Sequence, residues 1–85
     1  MVWNIKWSKT AEKQLSKIDK INAQKIVSKL EEITDNPYAH TEKLRGYDFH
    51  KLRVGSYRVI MILEQQKMII FVIETGHRST IYRKY

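Results

Sequence analysis

The residues best suited to chemistry in this sequence are cations on either side of the Gly55-Ser56 pair. Lys51 and Arg53 precede this pair, and Arg58 follows it. If Gly55-Ser56 is the loop of a type II′ hairpin, Arg53 lies opposite Arg58 and Lys51 lies opposite Ile60, so the three cations share one face. Like charges opposed on two strands destabilise the pair unless an anion, a carboxylate or solvent relieves them. The spacing therefore predicts an anion-binding surface, and the alternative is an exposed edge that binds nothing.

A second group of candidate residues lies at the C-terminal end of the chain. This segment holds one histidine, two arginines and two tyrosines, namely His77, Arg78, Tyr82, Arg83 and Tyr85. Arginine binds phosphate oxygens, tyrosine stacks on bases or moves a proton, and histidine titrates near neutral pH. The segment predicts contacts with RNA, and the alternative is a solvated tail.

The charge of the chain indicates a polyanionic partner. The formal net charge is +7, which suits nucleic acid, an acidic protein or a membrane surface. All five arginines, including Arg45, follow residue 44, whereas the first half uses only lysine. Arginine suits fixed, bidentate phosphate recognition, and lysines scattered among acids are typical of a solvated helix face. We therefore expect the functional surface after residue 44.

Several classes of protein are excluded by composition. The chain has no cysteine, which excludes disulfides, cysteine-based zinc sites and a thiol nucleophile. The first residues lack the apolar run of a signal peptide, and no apolar stretch is long enough to cross a bilayer. We expect a cytoplasmic protein with no membrane partner, no metal and no cofactor.

The first half of the chain predicts the elements on which the site rests. Alternating Trp3, Ile5 and Trp7 predict a strand from Val2 to Trp7. Ser8 then caps one helix, and the segment Asp19-Lys20-Ile21-Asn22 breaks the pattern with two potential caps for a second helix, which ends by Pro37. The apolar positions of these helices are Ala11, Leu15, Ile18, Ala23, Ile26, Val27, Leu30 and Ile33. The two helices form a hairpin, and residues 38–43 are predicted to be a loop.

The second half predicts three consecutive antiparallel strands, over Phe49–Val54, Tyr57–Glu64 and Met68–Thr75. All three are rich in β-branched and aromatic residues. The last two are nearly apolar on both faces, which predicts central positions in the sheet. The whole chain, residues 1–85, is predicted to be one α+β domain.

Three blocks of sequence resemble the RelE/ParE superfamily of toxins from type II toxin–antitoxin systems. They are Lys43-Leu44-Arg45-Gly46, then Lys51 through Arg58, then Gly76-His77-Arg78 followed by Ile81-Tyr82. The resemblance extends over nearly the whole chain. It implies a mainly antiparallel four-stranded sheet with the helix pair on one face and the site on the other. It also implies an endoribonuclease that cleaves messenger RNA in the ribosomal A site without metal.

The resemblance further implies roles for individual residues. Arg58 matches the arginine that holds the scissile phosphate, and Lys51 a lysine that activates or stabilises it. Arg78 matches the arginine that stabilises the developing charge, and Tyr82 the tyrosine that takes the proton of the attacking 2′-hydroxyl. Arg78 and Tyr82 are closer in sequence here than in RelE-like members, and Phe49 stands where some members have a lysine. The remaining residues expected to bind RNA are Arg45, Arg53, His77, Arg83 and Tyr85.

Two other functions are compatible with the same pattern. One is a ParE-like toxin that inhibits DNA gyrase through protein contact and has no catalytic residues. The other is a noncatalytic RNA-binding module, whose cations only hold phosphates. Either toxin function implies a cognate antitoxin, expected to be RelB-like and extended around the domain. A heterotetramer with the antitoxin is one stoichiometry that the resemblance allows.

Overall fold

The computed structural model describes residues 2–46 and 48–84, with side chains through Ile81. The elements in chain order are β1 (Asn4–Trp7), α1 (Lys9–Ser16), α2 (Lys20–Glu32), a 3-10 turn (Ile33–Asp35), α3 (Pro37–His40), β2 (Glu42–Lys43), β3 (His50–Val54), β4 (Tyr57–Glu64), β5 (Ile69–His77) and α4 (Arg78–Lys84). None of the helices in these residues is long and apolar enough to cross a membrane.

The sheet has five strands of mixed orientation, in the order β1-β5-β4-β3-β2. The expectation of a four-stranded, mainly antiparallel sheet was therefore wrong in strand number and incomplete in orientation. β1 lies parallel to β5, with Asn4 opposite Ile69 and Trp7 opposite Val72. The three strands β3, β4 and β5 form the predicted antiparallel meander. The mixed orientation follows from the helical hairpin, which carries the chain over the sheet between β1 and the meander.

The segment predicted as a loop contains two short elements. Pro37 begins α3, because its fixed φ and missing N–H suit the first position of a helix. Glu42 and Lys43 form β2, which pairs antiparallel with Lys51 and His50 of β3. Two residues are too few for an alternating pattern to show in the sequence, which explains why β2 was not predicted.

The two long helices begin at side-chain caps, α1 at Ser8 as predicted and α2 at Asp19, which is one of the two caps predicted as possible. The Ser8 hydroxyl accepts a hydrogen bond from the Ala11 N–H (3.0 Å), and the Asp19 carboxylate accepts one from the Asn22 N–H (3.1 Å). Each cap satisfies a donor that the first helical turn leaves free. The helices cover one sheet face, where the core consists of Trp3, Ala11, Ile26, Leu30, Ile33, Leu52, Val59, Met61, Ile70 and Val72.

The hairpin between β3 and β4 has the predicted register. Arg53 lies opposite Arg58, Lys51 opposite Ile60, and Val54 opposite Tyr57. Gly55 has a φ of +59°, which glycine adopts at little cost at the first position of this two-residue turn. The turn thus fixes which side chains face the core and which face away from it.

A partly buried histidine, His50, lies at the start of β3. His50 Nδ1 lies 3.3 Å from the Thr41 hydroxyl, and its ring packs edge-on against Tyr38. Burial lowers the pKa of His50 below its ordinary value of 6.5, and Lys43 lowers it further, while Asp48 acts in the opposite direction. The folded protein therefore favours neutral His50.

We predict that this histidine contributes to a loss of stability in acid. Because the folded-state pKa is lowered, the unfolded chain binds more protons, so stability is fully present above about pH 6.5 and falls as the pH drops below it. Denaturant unfolding between neutral pH and pH ~5 should show a shallower decline for His50→Phe, which keeps a ring against Tyr38. An identical pH dependence in the two proteins would contradict this assignment.

Candidate nucleic-acid interface

The cations predicted to act together lie on the sheet face opposite α1 and α2. Strand side chains alternate between faces, and Leu52 and Val59 point into the helix-covered core. Their neighbours Lys51, Arg53 and Arg58 therefore lie on the other face. We call Arg53, Arg58 and Arg78 the arginine cluster.

Arg58 is the most constrained member of the arginine cluster. The residue is only 7% exposed, and its Nη1 donates to the carbonyls of Tyr57 (3.1 Å) and Gly55 (3.5 Å). The Thr75 hydroxyl donates to the Arg58 carbonyl (3.1 Å), which ties the backbone at this point to β5. The hairpin backbone thus orients the guanidinium before any ligand arrives.

The other two arginines come close to Arg58 from different elements. Arg53 lies directly opposite on β3, and Arg78 begins α4, with its N–H bonded to the Ser56 carbonyl (2.8 Å). Burial lowers the pKa of Arg58, and the positive charges of Arg53 and Arg78 lower it further. Both of these arginines are exposed. Three positive charges on a partly desolvated surface suit a phosphate group.

Lys51 lies on the same face and forms an ion pair with Glu42. Its Nζ is 3.4 Å from Glu42 Oε2 on β2, and the Lys51 side chain is 24% exposed against 74% for Glu42. An ion pair with so exposed a carboxylate is weak. A phosphate at the arginine cluster would compete with Glu42 for this ammonium group.

The structure separates His77 from the arginine cluster. His77 pairs with Tyr57 across the strands, and the alternation of β5 places it on the opposite face from Gly76 and Arg58. Its Nδ1 accepts a hydrogen bond from the Ser79 N–H (3.3 Å) and lies 3.0 Å from the Ser79 hydroxyl. His77 therefore anchors the first turn of α4.

The remaining predicted residues are only partly placed. Arg45 is exposed in the connection between β2 and β3, where it touches none of the arginine cluster among the described contacts. Tyr82 and Arg83 lie in α4, but their side chains are outside the described part of the structure, as is the whole of Tyr85. Within the described residues, no cluster of histidines and acids could hold a metal ion.

Residues 78–84 of the C-terminal segment form α4, which packs on the site face through Ile81, so the segment as far as Ile81 is not a solvated tail. Ile81 of α4 is 3% exposed, and its side chain lies over Gly76, 3.5 Å from where a Cβ would stand. Ile60 and Glu74, opposite each other on this face, are 0% and 8% exposed. The contact of Ile81 with Gly76 thus adds a small apolar area to the site face, beside the arginine cluster.

Comparison with known proteins identifies the family to which this chain belongs. Residues 5–82 match the family model of the ParE toxin of the type II toxin–antitoxin system parDE. The chain belongs to the RelE/ParE superfamily of type II toxins. A RelE-like toxin protein of Escherichia coli is 33% identical over 96% of this chain and 92% of its own length.

Two further relatives place this toxin with RelE. It is 29% identical to the mRNA interferase toxin RelE of Escherichia coli, over 96% of this chain and 92% of that protein. It is also similar to the toxin in the crystal structure of the intact Escherichia coli RelBE toxin–antitoxin complex. That match has a TM-score of 0.77 and 28% identity, and it covers 88% of this chain and 95% of that one. The chain is thus a type II toxin of the RelE family.

Sequence reasoning missed the side chains that hold the end of β5 in the toxin. β1 ends opposite Val72, so in the described chain the last part of β5 pairs with β4 alone. The Ser8 hydroxyl donates to the Ile73 carbonyl (2.9 Å), and Gln14 Oε1 accepts from the Thr75 N–H (2.8 Å). These contacts secure the segment that leads to Arg78. No signal in the sequence identifies them, because they depend on where β1 stops.

We predict that Gln14 stabilises the toxin through its acceptor oxygen. Gln14→Met keeps the length of the side chain but leaves the Thr75 N–H without its partner, which should lower the free energy of unfolding by about 1–3 kcal/mol. Gln14→Glu keeps an acceptor oxygen, so it should lower the free energy of unfolding by less than Gln14→Met does. Denaturant unfolding measures both, with the exposed Gln24→Met as the matched control. Equal stabilities for Gln14→Met and Gln24→Met would contradict the role given to this hydrogen bond.

Proposed function

We propose that this toxin is a ribosome-dependent endoribonuclease that cleaves messenger RNA without metal. The observation that carries the proposal is the arginine cluster: one guanidinium held by hairpin carbonyls, with two others within electrostatic reach. Two of its residues are those that the family resemblance assigns to chemistry, Arg58 to the scissile phosphate and Arg78 to the developing charge, and Arg53 is assigned to RNA binding. The name of the relative from Escherichia coli, mRNA interferase toxin RelE, supports the same activity.

In the proposed reaction, the ribose 2′-oxygen attacks the adjacent phosphorus. A bond forms between that oxygen and phosphorus as the bond from phosphorus to the 5′-oxygen breaks, which leaves a cyclic phosphate and a 5′-hydroxyl. Tyr82, as its phenolate, is assigned to take the 2′-hydroxyl proton, and the departing 5′-oxygen takes a proton from solvent; Tyr82 then returns its proton to solvent, so no net proton is gained or lost. Arg58 holds the phosphate, while Arg78 and Lys51 stabilise the charge that builds up on it.

Ribosome dependence fits the openness of the arginine cluster. Arg53 and Arg78 are exposed on the sheet surface, so these two side chains offer phosphate contacts and, among the described residues, do not enclose a nucleotide. Much of the rate enhancement in such a reaction comes from holding the 2′-oxygen in line with the departing oxygen. The proposal assigns that positioning to the ribosome, which holds the message in its A site.

We further propose a cognate RelB-like antitoxin as the second partner. The similar toxin of Escherichia coli is found with its antitoxin in the RelBE complex. A net charge of +7 favours an antitoxin with acidic segments. A heterotetramer with the antitoxin is the proposed assembly.

Inhibition of DNA gyrase is the second candidate, because the matching family model is that of the ParE toxin. A ParE-like toxin acts through protein contact and needs no arranged phosphate site. The orientation of Arg58 by backbone carbonyls favours the endoribonuclease. A gyrase inhibitor would leave messages intact.

We predict that Arg58→Ala and Arg78→Ala each slow message cleavage by about 100- to 1,000-fold, because each removes a donor that stabilises the transition state. Primer extension on a defined message in a cell-free translation reaction measures the rate. Because Arg58 is largely buried, Arg58→Lys and a circular-dichroism spectrum separate lost chemistry from lost fold.

The matched control is Lys67→Ala, which removes a positive charge from the turn between β4 and β5 and should cleave at the wild-type rate. Reactions without ribosomes test ribosome dependence. Cleavage at the wild-type rate by folded Arg58→Ala and Arg78→Ala would overturn the proposed mechanism. Translation that proceeds over intact message with wild-type toxin would redirect attention to gyrase or to noncatalytic binding.

A further inference from the structure

Three lysines on the helical side of the molecule form a basic surface separate from the arginine cluster. Lys9 and Lys13 lie on α1, and Lys17 is the residue that caps its C-terminal end. All three are exposed, and none forms an ion pair with an acid in the described part of the chain. We call these residues the α1 lysine row.

The helix geometry turns the end of this row, at Lys17, towards the end of β5. Residues four apart on an α-helix are separated by about 6 Å along the axis and by about 40° around it. Ala11 is fully buried, so Lys9 points away from the core. Two steps of four residues bring Lys17 to the flank of the helix, on the side of Gln14. That flank faces the end of β5, where Gln14 binds the Thr75 N–H.

A shallow cavity joins the end of the row to the site face. It has a volume of about 290 Å³ and is lined by Gln14 and Lys17 from the α1 side and by Gly76, His77 and Thr80 from β5 and α4, among others. Gly76 lies next to Arg58 in the sheet, and Arg78 follows two residues later. The cavity therefore lies between Lys17, the last residue of the α1 lysine row, and the end of β5 that leads to Arg78.

We propose that bound RNA continues from the arginine cluster across this end of the sheet, and that the α1 lysine row holds its phosphates. The inference rests on the proposed function and adds a second RNA contact to it. The chemistry recognised is that of the phosphodiester backbone, without base readout. The strand is either the message beyond its cleavage site or ribosomal RNA.

The side chains around the row favour RNA over an acidic protein. The exposed positions of α1 and its C-terminal cap are all polar, namely Lys9, Thr10, Glu12, Lys13, Ser16 and Lys17. Protein interfaces need a desolvated, largely apolar centre and are depleted in lysine. A phosphate backbone needs only positive charges at intervals, and the spacing of about 6 Å along the row suits successive phosphates of an extended strand.

The test is to remove the row and measure RNA binding. The variant carries Lys9→Gln, Lys13→Gln and Lys17→Gln, since glutamine matches lysine in helix propensity. The matched control carries Lys25→Gln, Lys29→Gln and Lys67→Gln, which removes the same charge elsewhere. Fluorescence anisotropy with a short, fully 2′-O-methylated RNA, and sedimentation with purified ribosomes, give the dissociation constants over a range of salt concentrations.

The expected result is a smaller salt dependence for the row variant only. Each phosphate contact to a single strand contributes about 0.7 to the slope of log Kd against log salt, so the slope should fall by about 2 and affinity by roughly 100-fold at ~0.1 M salt. A loss with the short RNA identifies the message as the strand. A loss with ribosomes alone identifies ribosomal RNA.

The proposal is overturned if the row variant binds both RNA and ribosomes as the control does. It is also overturned if the row variant loses only its antitoxin, because the surface would then be a protein interface. The RNA used here is not cleaved, so the result does not depend on catalysis. If folded Arg58→Ala cleaves normally while the row variant loses RNA affinity, the catalytic assignment fails and the RNA contact stands.

Discussion

The interaction on which this structure depends is the opposition of Arg53 and Arg58 across β3 and β4. A two-residue turn at Gly55 fixes that register, and Arg78 adds a third charge from the start of α4. In the free protein this arrangement is unfavourable, because like charges on paired strands repel each other. A bound phosphate would relieve this repulsion, which favours phosphate binding. We therefore expect the opposed arginines to lower the stability of the free toxin.

The rest of the fold holds this charge cluster in place. The helix-side core packs against β3, β4 and β5, and backbone carbonyls and the Thr75 hydroxyl fix Arg58. Where β1 ends, Ser8 and Gln14 replace the missing strand neighbour of β5. Since β5 leads directly into Arg78, contacts on the helical side determine the geometry of the opposite face. The same end of the sheet brings the α1 lysine row close to the site.

Local patterns predicted the parts of this structure that local chemistry determines. The caps at Ser8 and Asp19, the hairpin at Gly55 and the common face of Lys51, Arg53 and Arg58 all follow from short stretches of sequence. The elements that were missed depend on distant pairing. β2 forms because Glu42 and Lys43 pair with residues of β3. α4 packs on the sheet through Ile81, whose side chain lies over Gly76. The separation of His77 from the arginines follows from strand alternation continuing to the end of β5, beyond the predicted boundary at Thr75.

The most direct test of the central claim is the stability of Arg53→Gln in low salt, with and without inorganic phosphate. Denaturant unfolding should show the variant to be more stable than wild type by about 0.5 kcal/mol in low salt, because one partner of an opposed like-charge pair is gone. Added phosphate should stabilise wild type more than the variant, since it binds the folded arginine cluster. A variant that is less stable in low salt, or an equal response to phosphate, would contradict the claim that this register builds an anion site.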